Sequence, residues 1–135
     1  MTCEGCSSCR GKVSGSRVVL DTNFLLIPHE NKVDIFVEIQ KSLGKVEFII
    51  PEPVMKELYL ISGKNTGAKV ALELLEKQEF TVIGSEYSAD NAVIDIAREY
   101  GAYVASMDAK VRKRARGSYL KTICLRRKKQ VVVDE

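Results

Sequence analysis

Histidine is the residue this chain most lacks: His29 is the only one in 135 residues. That excludes acid–base chemistry built on two imidazoles. A Ser-His-Asp hydrolase would have to depend on this single side chain in a proline-containing turn. His29 is therefore expected at the surface or in a loop. Glycine-rich phosphate loops are also missing, because Gly63-Lys64 lacks the preceding glycine spacing, and this argues against a nucleotide-cofactor enzyme. No apolar stretch approaches the roughly 20 residues that span a bilayer, and the polar start of the chain has no signal-peptide apolar region. A cytoplasmic protein without a membrane partner is expected. Cysteine is scarce, and three of the four sit together: Cys3, Cys6 and Cys9 form C-x2-C-x2-C. That spacing is close to the opening of a bacterial ferredoxin motif, but position 13 is Val where the next cysteine would fall. Cys124 would complete a zinc set only if the tail folded back, and its apolar run favours a buried core thiol. Residues 1–16 are expected to be a flexible tail, with a zinc or intermolecular metal site second in preference and an iron–sulfur cluster third.

Acidic residues are absent over positions 110–129, which hold ten cations: Lys110, Arg112, Lys113, Arg114, Arg116, Lys121, Arg126, Arg127, Lys128 and Lys129. This stretch carries +10 in a chain whose net charge is +3, leaving −7 for the remainder. Such a run taken alone is most simply a solvated basic face. Its position directly after Asp108 favours a surface for a phosphate backbone beside an acidic pocket.

What is present is a repeated alternation of short apolar runs and helical periodicity. Strands are expected at 17–21, 46–50, 79–83 and 102–106, with further apolar runs at 119–125 and 130–134. Helices are expected from 23, near 32–43, and over 52–62, 68–78, 89–100 and 109–115. Val33, Phe36, Ile39 and Leu43 form one apolar stripe, and Val70, Ala71, Leu74 and Leu75 another. Strands separated by helices imply right-handed βαβ units. The expected fold is α/β: a mainly parallel sheet with helices on both faces, forming a single domain over 17–135.

Four acids mark this framework: Asp21, Glu57, Asp90 and Asp108 each fall where a strand hands over to a helix, or early in that helix. In open parallel sheets, ligands bind outside the carboxyl ends of the strands, so these carboxylates can converge on one metal site. Each also has a local explanation. Asp21 could cap a helix, Asp90 and Asp108 could complement helix amino termini, and Glu57 could be an exposed helical charge. Their joint placement is harder to explain locally.

Four segments, Val18-Val-Leu-Asp21-Thr-Asn-Phe-Leu-Leu, Ile50-Pro-Glu-Pro-Val-Met-Lys-Glu57-Leu, Ala89-Asp90-Asn-Ala-Val-Ile-Asp-Ile-Ala and Val104-Ala-Ser106-Met-Asp108, resemble the ordered motifs of PIN-domain nucleases. The resemblance covers residues 17–134. It implies a three-layer α/β/α fold with about five strands, and RNA cleavage dependent on Mg²⁺ or Mn²⁺. By this resemblance Asp21, Glu57, Asp90 and Asp108 match the catalytic and metal-binding quartet. Ser106 and Asn23 take supporting places, and Asp95 is a further ligand in some relatives. Five residues from Asp90, however, Asp95 lies off the same helical face, so a structural role is an equal expectation. Ile123-Cys-Leu-Arg126-Arg-Lys-Lys-Gln and Asn31-Lys-Val-Asp34 resemble the branch that processes small-subunit ribosomal RNA. The implied partner is RNA, in particular precursor ribosomal RNA, with a homodimer left open. The alternatives are a toxin-type ribonuclease of a toxin–antitoxin pair and a noncatalytic RNA-binding assembly factor.

Overall fold

The computed structural model describes residues 16–126 and 130–134. Its strands are β1 (Ser16–Leu20), β2 (Val46–Pro51), β3 (Phe80–Ile83), β4 (Tyr103–Ala105), β5 (Thr122–Arg126) and β6 (Gln130–Asp134). Its helices are α1 (Thr22–Leu25), α2 (Ile27–Asn31), α3 (Ile35–Leu43), α4 (Glu52–Ser62), α5 (Thr66–Glu76), α6 (Ala89–Tyr100) and α7 (Ala109–Gly117). The strands form one sheet in the order β3-β2-β1-β4-β5-β6, parallel except for the β5–β6 pair. The three-layer α/β/α expectation is borne out. A sixth strand is added at the edge, where the chain doubles back after β5 and pairs Ile123 with Val133.

The central strands are short and apolar because both of their faces are covered. Val18, Val19 and Leu20 point alternately to opposite sides of β1, yet all three are fully buried, as are Phe48, Ile49 and Ile50 on β2. Helix α6 packs across β1, β2 and β4, while α3 packs on β2 and β6. Phe36 of α3 meets Phe48 edge to face, with ring centroids 5.0 Å apart. That geometry is worth about 0.5–1.5 kcal/mol beyond the area buried.

Helix ends follow local chemistry. Pro53 sits in the first turn of α4, where no backbone N–H is needed. Asn65 caps α5 by accepting from Ala68 N. The helix expected near 32–43 begins only at Ile35, because Lys32 adopts a left-handed conformation and the Asp34 carboxylate accepts from Phe36 N and Val37 N. The preceding turn forms the separate α2. It carries His29, which is half-buried rather than in a loop. A Cβ on Gly67 would lie 3.6 Å from His29 Cβ and 2.9 Å from Asn65 Oδ1, so glycine is what lets α5 start this close to α2 and its own cap. Among the described residues, no helix is long and apolar enough to cross a membrane.

Strand order also creates a crevice. The chain steps from β1 outward to β2 and β3, then returns through α6 to lay β4 on the other side of β1. The order therefore reverses between β1 and β4, and the crevice at their carboxyl ends is the topological switch point, where such sheets bind ligands.

Candidate active site

Asp21 stands in that crevice. Its backbone N–H donates to Ala105 O of β4 at 3.1 Å, extending the β1–β4 pairing by one residue before the chain turns into α1. Its side chain is 3% exposed. It accepts from Thr22 N at 2.8 Å and from the Ser106 hydroxyl at 2.9 Å. Burial raises its pKa above the ordinary value. These two hydrogen bonds counter the rise, and the negative charges of Asp90 and Glu57 add to it. The helix-cap role and the pocket role of Asp21 coexist, because a carboxylate has about four lone-pair sites and two are used here.

Ser106, fully buried just after β4, ties two acids together. Its Oγ donates to Asp21 Oδ2 and accepts from Asp108 N at 3.1 Å. Asp108 then caps α7 through Lys110 N at 2.9 Å. Asn23 closes the same loop from the other side, its Oδ1 accepting from Met107 N at 3.1 Å. Both supporting residues thus fix the Ser106–Asp108 turn against the start of α1.

Asp90 lies in the first turn of α6 and Glu57 in the middle of α4, further into its helix than expected, and both are exposed. Their charges act on Asp21 from two further elements. Asp95 stands apart. It lines an open cavity of about 400 Å³ with Glu52, Gly84, Ser85, Glu86 and Tyr87, beyond the end of β3.

The oxygen-only donor set suits a hard divalent cation such as Mg²⁺ or Mn²⁺. The ligands are not closed around a point: among the described residues, no three His, Cys, Asp or Glu side chains are grouped closely enough to hold an ion as they stand. Like charges on separate elements repel one another. Asp21, Ser106 and Asp108 are fixed by hydrogen bonds, whereas the exposed Glu57 and Asp90 would have to turn inward. In donor chemistry the residues fit the cation.

The basic residues divide by task. Arg112 donates from Nη1 to Ser106 O at 3.1 Å, and Arg114 from Nη2 to Asn91 Oδ1 at 2.6 Å, bracing α7 against the β4 turn and the start of α6. Reading α7 only as a charge run missed this. Lys110, Lys113 and Arg116 are exposed. The side chains of Arg126, Arg127, Lys128 and Lys129 lie outside the described residues, as do Cys3, Cys6 and Cys9. Cys124 is a free, half-buried thiol rather than a fully buried one.

An open α/β/α sheet with a buried aspartate at its switch point, tied through Ser106 to a second acid, defines a class of protein with an acidic site at the carboxyl edge of its strands. The family described as PIN like domain matches residues 18–128. "Ribonuclease VapC9" of Archaeoglobus fulgidus is 30% identical over 121 residues, covering 86% of this chain and 87% of that protein. "Ribonuclease VapC4" of Methanocaldococcus jannaschii is 26% identical over 122 residues, covering 84% and 92%. Among solved structures, the PIN domain endonuclease Utp24 aligns with a TM-score of 0.72 at 20% identity, covering 87% of this chain and 90% of that one. This chain belongs to the PIN-like domain family.

Proposed function

We propose that the protein is a divalent-metal-dependent endoribonuclease that hydrolyses RNA phosphodiester bonds. The observation that carries this reading is the buried Asp21 at the switch point, under the charges of Asp90 and Glu57 and joined through Ser106 to Asp108. Family membership and the two archaeal ribonucleases support it.

Asp21, Glu57, Asp90 and Asp108 would hold Mg²⁺ or Mn²⁺. When bound, such an ion supplies activation of water and stabilisation of charge on the phosphoryl oxygens. The chain's own contribution is positional. Ser106 holds Asp21 in one orientation while fixing the turn that presents Asp108. Asn23 and Arg112 keep that turn from shifting, through Met107 N and Ser106 O. Burial of Asp21 weakens solvent screening of its charge, which strengthens its attraction for a cation. The exposed cations of α7 would attract the RNA backbone toward the crevice.

Two biological settings are supported comparably. The motif context around Asn31–Asp34 and the Ile123–Gln130 ending favour precursor ribosomal RNA, whereas the two ribonucleases named VapC favour a toxin-type enzyme. The test is cleavage of a precursor small-subunit ribosomal RNA fragment and of unrelated RNAs, with Mn²⁺, Mg²⁺ or chelator, by wild type and Asp21→Asn. Metal-dependent cutting of the precursor at one position, lost in the variant, supports maturation. Cutting of many RNAs, with growth arrest on expression, supports the toxin. Tight binding without cutting under any metal would instead indicate an assembly factor.

A further inference from the structure

Just past α7 the backbone takes a turn that its residue does not favour. Tyr119 has φ +62°, in the left-handed region where a bulky side chain is strained and glycine or asparagine is the usual occupant. The turn is made by the backbone: Ser118 N donates to Arg114 O at 3.1 Å, Tyr119 N to Arg116 O at 3.0 Å and Leu120 N to Ala115 O at 2.9 Å. Leu120, the next residue, packs against the core and anchors the exit. The Tyr119 ring takes no part in this, being 97% exposed, the most exposed large hydrophobic side chain among the described residues. Among the described residues, nothing accounts for an aromatic residue at a position where glycine would sit without strain.

Its surroundings indicate what the ring could meet. No acidic residue occurs from Ala109 to Lys129. Along α7 the exposed Lys110 and Lys113 recur at helical spacing, forming a cationic stripe that starts beside Asp108. A nine-residue helix is roughly 13.5 Å long, so the length of α7 separates the backbone of Tyr119 from Asp108, its cap. A charged track ending in an exposed aromatic face is how single-stranded nucleic acid is held without sequence readout: the cations follow the backbone, and a base stacks on the ring.

We propose that Tyr119 is a stacking platform for an unpaired RNA base, and that a single-stranded substrate lies along α7 between this ring and the acidic site. The proposal rests on the ribonuclease reading and adds to it a requirement for unpaired RNA at a defined distance from the cut.

The test uses the full chain carrying Asp21→Asn, so that bound RNA is not consumed. Affinity for a fluorescent single-stranded RNA and for a duplex of the same sequence is measured at several salt concentrations, alongside thermal melting. The Tyr119→Phe variant is expected to bind as the parent does. Tyr119→Gly is expected to bind the single strand about fivefold or more weakly, with an unchanged salt slope, unchanged duplex affinity, and a melting temperature equal to or above the parent's. Equal single-strand affinity in Tyr119→Gly overturns the proposal, and so does a lowered melting temperature, which would show that the ring packs in the fold. A dimer that dissociates in Tyr119→Gly with RNA affinity intact would overturn it too, assigning the ring to a second copy of the chain. Absence of RNA binding by the parent would overturn the ribonuclease reading itself.

Discussion

Asp21 combines roles usually held by different residues: strand terminus, helix cap and buried acid at the switch point. Its raised pKa comes first from burial and then from Asp90 and Glu57. Because the folded-state value lies above the unfolded one, folding takes up a proton between the two. In metal-free protein, the resulting penalty is absent below the ordinary carboxylate value, grows as pH rises through the window up to the raised value, and is full above it. Metal-free Asp21→Asn, which keeps the shape and can satisfy both hydrogen bonds, is therefore expected to melt higher than wild type at pH 7. The two should converge below about pH 4. Cleavage by the same variant should fall on the order of a hundredfold or more. A variant less stable than wild type at neutral pH would show that the carboxylate's hydrogen bonds outweigh its burial. Ser106→Ala removes both the bond to Asp21 and the anchor of Asp108 N, and should lower activity by about 10–100-fold. Ser106→Thr, which retains the hydroxyl, should recover most of it. Equal activity in all three proteins would remove Ser106 from the site.

At the scale of the element, α7 couples the pocket to the charged surface. Asp108 caps it, Arg112 and Arg114 brace it on the Ser106 carbonyl and Asn91, and its remaining cations face solvent. Charge reversal would strain solubility as well as binding, so neutral substitution is the cleaner test. Lys110→Gln together with Lys113→Gln should weaken binding to all single-stranded RNAs alike. It should also reduce the log–log salt slope by about 1.4, at roughly 0.7 for each phosphate left without its cation. An unchanged slope would place the RNA elsewhere. Helix α3 shows the ordinary use of an amphipathic face: Phe36 is fully buried against Phe48. Phe36→Ala should destabilise the fold by about 3–5 kcal/mol, measured by denaturant unfolding, and a change of less than about 1 kcal/mol would contradict the packing described.

Across the whole molecule, the reversed strand order sets Asp21 beside the Ser106–Asp108 turn, with the charges of Asp90 and Glu57 acting on it, and the proposed metal site would link ion binding to stability. A ligand that binds only the folded state stabilises it by about 2.7 kcal/mol at a hundred times its dissociation constant. Added Mn²⁺ or Mg²⁺ should therefore raise the melting temperature of wild type. Asp21→Asn, Glu57→Gln, Asp90→Asn and Asp108→Asn should each reduce that increment, and a variant whose increment is unchanged does not hold the ion. Glu52→Gln and Asp95→Asn, which face the separate cavity beyond β3, should leave the increment as in wild type.

The sequence by itself determined most of the local structure, because caps, proline positions and apolar periodicity act over a few residues. The α6 bounds at 89–100 and the Asp21 turn could be read directly. The break before α3 could not, since the left-handed Lys32 and the Asp34 cap compete with an apolar stripe that reads smoothly through Val33. The acids and the supporting Ser106 and Asn23 were legible as a set through their motif order, but the work of Arg112 and Arg114 was not, because a charge carries no sign of its partner until the chain has folded. Only the tertiary structure decided that Ser106 should hold Asp21 across 85 positions of sequence. The physical reason is the return of β4 to the side of β1 rather than past β3, which opens the crevice where repelling carboxylates are brought within reach of one another.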